Sequence, residues 1–231
     1  MEKVICWWSG GITSAEACKK AIEIYGEENC RVIMIDTKNE HEDTYRFKND
    51  CQTWYNLPIE TIYNDQFDDI ESVRDKYLSL NVATGAICST HLKRKVRERW
   101  QKENKYSFQV FGFEFEKKEF NRARGLVLNH SKVKAIFPLL MLGLSKEDCI
   151  HIVQDAGLTI PMAYSLGFRN NNCLKTGCVQ GGIGYWKKMQ KEMPKLFDDM
   201  AEREHKLTDK KGYPVTMLKD QGKDGGLVFL K

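Results

Sequence analysis

Ser9-Gly10-Gly11-Ile12-Thr13-Ser14 is the stretch whose reading decides the fold. Before it runs Val4-Ile5-Cys6-Trp7-Trp8, apolar and of the length of a buried strand. After it, Cys18, Ala21, Ile22 and Tyr25 recur at helical spacing and stop at Gly26, a helix-ending residue. A strand, a glycine turn and a helix start together build an anion site. Two glycines let the backbone approach a ligand with no Cβ in the way. The first N–H groups of the helix lack intrahelical acceptors and point at whatever occupies the turn. Ser9, Thr13 and Ser14 add hydroxyl donors, and a phosphate suits that set. Two glycines alone would equally serve an ordinary strand-to-helix turn. The turn contains neither the P-loop pattern with its lysine nor the three-glycine dinucleotide pattern.

Outward from the turn, Val32-Ile33-Met34-Ile35 predicts a second buried strand, so strand, helix and strand open a parallel α/β unit. Asp36 and Thr37 close that strand at its carboxyl end, where open α/β sheets bind ligands. Phe47, Cys51 and Trp54 mark a helix face, and residues 58–63 read as a third strand. Asp65 is placed to cap a helix with Phe67, Ile70, Val73 and Tyr77 inward. Residues 81–87 read as a small-residue loop, and Ser89 or Thr90 as the cap of a helix with Leu92, Val96 and Trp100 inward. The other side of that helix carries Lys93, Arg94, Lys95, Arg97 and Arg99. Such a run is either a solvated face or a wall for phosphate, sulfate or a nucleic-acid backbone. Phe108, Val110 and Phe111 predict a further strand, and Glu119, Arg122 and Arg124 follow it. Ser145 and Asp148 stand at capping-box spacing, and Gly157 ends their helix.

Ser-Gly-Gly-x-x-Ser in the first strand-helix turn resembles the PP-loop of the adenine nucleotide alpha-hydrolase-like superfamily. That group includes the N-type ATP pyrophosphatases and the phosphoadenylylsulfate (PAPS) reductases. Many of the pyrophosphatases carry Asp where this chain has Thr13, which leans toward the PAPS reductase branch. Asp36-Thr37 followed by Asp43-Thr44-Tyr45, and the order Pro138, Gly157, Pro161, Tyr164, Gly167-Phe168, are similar to that branch. The resemblance covers about residues 1–190. It implies a three-layer α/β sandwich with a mainly parallel sheet over residues 1–183, and a C-terminal helical arm and tail over 184–231. It further implies that Ser9, Gly10, Gly11, Thr13 and Ser14 cradle the phosphate of ATP or a related adenylyl nucleotide, with Mg as an accompanying ion. Asp36 and Thr37 would flank the nucleoside, and Lys93 and Arg122 would neutralise growing oxyanion charge.

Cys88, Cys173 and Cys178 stand in loops and need an explanation beyond packing. Three readings stay open. The three thiols hold a 4Fe-4S cluster with one iron free, as related tRNA-thiolating enzymes do. They hold zinc, with His91 or His41 as fourth ligand. Or they are free or redox thiols, Cys173 or Cys178 acting as the catalytic thiol. No cysteine follows Cys178, so the mobile C-terminal thiol of a sulfonucleotide reductase is missing. The resemblance therefore implies attack at the α-phosphate of ATP, activating an acceptor for sulfur transfer. The acceptor is a nucleic acid or a small molecule. Sulfonucleotide reduction with an altered thiol, and a catalytically inactive nucleotide-binding regulator, are the alternatives.

Length and composition set the frame. The chain has 231 residues, a formal charge of +4 and eight cysteines. That charge is too mild to demand nucleic acid by itself, and the cysteines are too sparse for a secreted disulfide scaffold. No apolar run approaches the roughly 20 residues that span a bilayer, and the N-terminus enters a strand at once. A cytoplasmic protein with no membrane partner is expected. Trp186, Met189, Met193, Phe197 and Met200 predict a long helix that Pro194 kinks or splits, with a face for core packing or for a homodimer.

Overall fold

The structure is a computed structural model and describes residues 3–82, 85–171, 173–220 and 226–231. Ala83 and Thr84 of the expected 81–87 loop lie outside the described residues, as does Asn172 before Cys173. β1 (Val4–Trp8) is buried along its whole length. Its alternation turns Val4, Cys6 and Trp8 to one face and Ile5 and Trp7 to the other. A strand apolar on both sides belongs in the middle of a parallel sheet. β1 indeed lies between β2 (Cys30–Ile35) and a later strand, with Val4 paired to Cys30 on one side and to Phe108 on the other.

β3 (Ile59–Ile62) adds outside β2. Asn81–Val82 (β4) and Gly85–Ala86 (β5) pair as a small antiparallel hairpin away from the main sheet. β6 (Phe108–Val110) and β7 (Ala135–Ile136) complete a five-stranded, all-parallel sheet in the order β3-β2-β1-β6-β7. The chain thus winds outward from β1 in one direction and returns to wind in the other. Between β1 and β6 the connections diverge to opposite sides, and that crevice is where open α/β sheets accept ligands.

On one face α1 (Ile12–Tyr25) and α2 (Glu42–Tyr55) pack with Cys6, Trp8, Val32 and Met34. On the other, Ile5, Trp7 and Ile33 meet Trp100, Phe111 and Val133. Helices on both faces make the expected three layers. α3 (Ile70–Tyr77) starts later than predicted: its cap is Asp69, not Asp65, because Ser72 completes a capping box with Asp69. Asp65 instead faces Arg99 at 3.1 Å. The expected cap at Ser89 or Thr90 is also absent. The turn α4 (Ile87–Ser89) runs through a π-helical stretch, Thr90–Arg94, into α5 (Lys95–Glu103). α6 (Lys117–Asn129) and α7 (Pro138–Leu142) follow, and α8 (Lys146–Asp155) has the predicted Ser145–Asp148 capping box.

α9 (Met162–Ser165), α10 (Ile183–Glu192) and α11 (Pro194–Lys211) finish the helices, with the predicted break falling at Met193-Pro194. A second core joins Val73, Leu80, Cys88 and Leu92 to Trp186, Met189, Phe197 and Met200. Trp186, Met189, Phe197 and Met200 of the helices after residue 183 are therefore buried within this chain. The tail pairs β8 (Leu218–Asp220) with β9 (Gly226–Val228). Glu204, fully buried in α11, accepts hydrogen bonds from the N–H groups of Met217 and Leu230 at 2.7 and 2.8 Å. Among the described residues no helix is long and apolar enough to cross a membrane.

Glu16 of α1 is buried at a desolvation cost. Its side chain is fully buried, neither carboxylate oxygen has a hydrogen-bond partner, and Lys20 is 3.5 Å away. Burial pushes its carboxyl up to about 7 against the pull of Lys20. The folded chain then holds a proton that the unfolded chain gives up near its ordinary carboxyl pKa of about 4.3. Stability therefore falls as pH rises from that value through 7. Glu16→Gln removes the titration, so its melting temperature should exceed that of the parent chain by about 3–6 °C at pH 8 and by much less at pH 5. Calorimetric melts across that range check this, and a difference that does not change with pH refutes it.

Candidate functional site

β1 ends in the glycine turn, and the backbone there is as the sequence predicts. Gly10 has φ +86°, a conformation that glycine adopts without strain, and Gly11 is the N-terminal boundary of α1. Gly11 brings no capping side chain, so the amides of Thr13 and Ser14 are left to the space in front of them. Ser14 organises the turn: its Oγ accepts from the Ser9 N–H at 3.0 Å and donates to the Gly11 carbonyl at 2.8 Å. Ser9 Oγ lies 3.0 Å from the same atom.

A cleft of about 870 Å³ opens before the turn, between the carboxyl ends of β1 and β6. Such a volume suits a nucleotide-sized ligand. Ser9, Gly11, Thr13 and Ser14 line its floor, and Trp7, Trp8, Phe111 and Phe113 give it an aromatic side. Lys93, Arg94, Arg97, Lys118, Arg122 and Lys146 give it a cationic one. Of the basic run on the helix after Cys88, Lys93, Arg94 and Arg97 face this space, while Arg99 is turned to Asp65. The cations are held in place by acids. Arg122 bonds both oxygens of Glu119 at 2.8 and 2.6 Å, and its guanidinium lies 4.6 Å from the Phe113 ring centroid. Glu114, buried at the end of the β6 segment, lies 3.4 Å from both Lys146 and Arg169.

Asp36 and Thr37 do close β2 as expected, but their side chains are turned to neighbours of their own. Asp36 accepts from the Tyr45 hydroxyl at 3.0 Å and from the Lys38 N–H at 2.7 Å. Thr37 donates to Glu40 at 3.1 Å. Ile35, one residue earlier, is the β2 residue that reaches the cleft. Gly10 is not among the residues that line the cleft.

Two residues unassigned from sequence complete the turn. The Tyr164 hydroxyl accepts from the Ile12 N–H at 3.1 Å, and burial pushes its own pKa up to about 12. Asn171, almost fully buried, donates to the Gly10 carbonyl at 2.9 Å and to Thr44 Oγ1 at 3.0 Å. Tyr164 belonged to the motif order read from the sequence. Asn171 gave no local signal, because its partners lie 161 and 127 residues away.

Cys88, Cys173 and Cys178 are brought together around Lys93. The neighbouring Cys178 thiol and burial push the Cys173 thiol well above the usual thiol range, while Cys173 and Lys93 help hold Cys178 down to about 6 against burial. Among the described residues, however, no group of three His, Cys, Asp or Glu side chains is arranged to hold a metal ion. His91, one proposed fourth ligand, packs instead between the rings of Phe67 and Tyr77. His41, the other, caps α2 by accepting from the Asp43 N–H. Lys93 itself stands 3.8 Å from Glu40, with 35% of its side chain exposed. Burial works against its charge, but Glu40 and the three sulfurs outweigh that and hold its pKa above the ordinary lysine range.

The tightest point of the site is Gly112, just after β6. A Cβ there would stand 2.5 Å from Ser14 Cα and 2.6 Å from Ser14 N, backbone atoms that cannot step aside. Gly112→Ala should lower stability by about 1–3 kcal/mol, the usual cost of overpacking. Gly125→Ala, in α6, meets no atom within 4 Å and should gain about 0.5–1 kcal/mol of helix propensity. Paired denaturant melts check the contrast; equal effects would show that the close approach does not constrain the turn.

No family model matches this sequence, and no curated protein does. Among solved structures the chain is similar to a PAPS reductase from Candida auris in its phosphate complex. Identity is 15%, the TM-score is 0.55, and the match covers 73% of this chain and 80% of that one. It is also similar to the U34-tRNA thiolase NcsA from Methanococcus maripaludis with its 4Fe-4S cluster. There identity is 16%, the TM-score is 0.48, and the match covers 89% and 72% of the two chains. At such identities the likeness is one of fold. With the glycine turn at the end of β1 and a parallel sheet wound both ways from it, the chain has a three-layer α/β fold of the adenine nucleotide alpha-hydrolase-like kind.

Proposed function

We propose that the cleft binds ATP or a related adenylyl nucleotide and that the protein is an enzyme acting at the α-phosphate to activate an acceptor for sulfur transfer. One observation carries the reading. The uncapped amides of Thr13 and Ser14 open into a nucleotide-sized cleft whose far wall is cationic. A phosphate seated on the turn would meet N–H donors and the positive end of the α1 dipole. The aromatic side offers a flat apolar surface to a base.

The chemistry follows from where charge would grow. Attack by an acceptor oxygen on the α-phosphorus places extra negative charge on the non-bridging oxygens, while pyrophosphate departs with the bonding pair. The turn amides are fixed before the reaction, so they need no reorganisation to meet that charge. Lys93 stays cationic in this setting, and Arg122 is oriented by Glu119 for oxygens on the opposite side. A second reading is reduction of a sulfonucleotide, for which Cys173 or Cys178, electrostatic neighbours of the cleft residue Lys93, would supply the thiol.

Titration calorimetry with ATP, AMP and PAPS should show binding of at least one of them. Lys93→Gln should weaken it roughly tenfold, about 1.4 kcal/mol. Lys219→Gln, on the exposed tail, should leave it unchanged. Pyrophosphate release that depends on an added acceptor supports transfer at the α-phosphate, and sulfite release from PAPS supports the second reading. No heat with any of the three nucleotides overturns both.

A further inference from the structure

We propose that the Tyr164 hydroxyl is a ligand-binding group of the cleft: it accepts the Ile12 N–H and donates its own proton to an oxyanion seated on the glycine turn. The proposal deepens the reading of the cleft as a nucleotide site and rests on it for the source of that oxyanion, a nucleotide phosphate.

A helix start that holds an anion normally turns its first free amides toward it. Here one of them is taken. The Ile12 N–H donates to the Tyr164 oxygen at 3.1 Å. A phenol oxygen that accepts still has a proton to give. Among the described residues nothing accepts that proton. Tyr164 and Gly11 both line the cleft, and a Cβ on Gly11 would stand 3.1 Å from the Tyr164 oxygen. The cleft is therefore where the hydroxyl proton can find an acceptor. A hydrogen bond received by the oxygen polarises the O–H, so the tyrosine passes on the partial positive charge of the helix end rather than cancelling it.

The side chain is held in place before any ligand arrives. Its ring packs against the first core. α9, which carries it, is tied at both ends. The Met162 N–H donates to Asp43 Oδ2 at 2.6 Å, and the Phe168 N–H donates to the Ala163 carbonyl at 2.8 Å. Arg46, paired with Asp43, also donates to the Thr159 carbonyl at 3.0 Å on the approach to α9. The Gly167 N–H closes the turn on the Tyr164 carbonyl at 2.8 Å. A donor fixed in this way loses little freedom on binding. Burial, and after it Glu114 beyond β6 and Cys149 of α8, keep the phenol protonated against the pull of the Ile12 and Asn171 amides.

This role differs from that of the cleft cations. Lys93 and Arg122 attract an anion from a distance, whereas a neutral hydroxyl acts on contact. Its loss should be felt by a ligand that places an oxyanion on the turn, and not by the same ligand without one.

The test is titration calorimetry on the full chain with AMP, adenosine and inorganic phosphate. Tyr164→Phe keeps the ring and removes the donor. It should weaken AMP and phosphate about tenfold, the value of one hydrogen bond to a charged group. Adenosine should bind it as it binds the parent. Tyr213→Phe, exposed near the end of the chain, should change none of the three. A second variant carries a ring-difluorinated tyrosine at position 164, which keeps the shape and the Ile12 contact but ionises at lower pH. Titrations run above about pH 8, where a phosphate monoester is fully ionised. The AMP affinity of this variant should fall at a lower pH than that of the parent. A purely structural hydroxyl would leave that profile unmoved, and the fluorinated variant decides the matter if adenosine gives no heat. The proposal is overturned if Tyr164→Phe binds AMP and phosphate as tightly as the parent or tighter, which would make the hydroxyl a plug on the Ile12 amide. It is also overturned if adenosine weakens as much as AMP, or if the pH profile of the fluorinated chain matches the parent. In each of these cases AMP binding by the parent leaves the nucleotide reading standing. If the parent binds phosphate through Tyr164 but neither AMP nor adenosine, the nucleotide reading falls and this one stands. Binding of none of the three overturns both.

Discussion

The end of β6 and the start of α1 touch with no side chain between them. The backbone of Gly112 lies so close to the backbone of Ser14 that hydrogen is the only substituent that fits. This contact fixes the distance between the two central strands at their carboxyl ends, and so the height of the crevice above them. The aromatic wall and the cationic wall are arranged around a floor whose level this one approach sets.

Above that floor the charges are not left loose. Arg122 is oriented by Glu119, Lys146 and Arg169 by Glu114, and Lys93 by Glu40. The Arg122–Glu119 and Arg169–Glu114 pairs are exposed on the arginine side, so their contribution to stability is small. What such pairing does is restrict where each cation can point. An incoming anion then meets groups that have already given up most of their rotational freedom, which lowers the entropy lost on binding. The acids also keep the cleft from being a bare positive surface that would attract any polyanion.

Much of this architecture was legible in the chain itself. Val4–Trp8 and Val32–Ile35 are apolar runs with glycine or acid at their carboxyl ends, and local patterning of that kind survives folding. Ser145 and Asp148 form their box because both partners lie within one turn. The cap of α3 was misread for a related reason: Asp65 and Asp69 are both acceptable caps by type. The choice falls to Ser72, which is within reach of only one. The thiols were legible as a spacing but not as a geometry. The shape of their turn depends on Trp186, Asn39 and Glu40, which no local window contains. Tyr164 and Asn171 are the same case in the cleft, since each joins the glycine turn from more than 150 residues away.

Asn171 has a consequence for any attempt to dissect the molecule. Its amide is the back wall of the first turn, yet it arrives only after three quarters of the polypeptide has been laid down. A truncated piece ending at residue 150 would contain every strand of the main sheet and the whole Ser9–Ser14 segment. It would still present the Gly10 carbonyl and the Ile12 amide to water. Recombinant halves of this protein are therefore poor reporters of the whole, and during synthesis the pocket is finished last although its first residues emerge from the ribosome first.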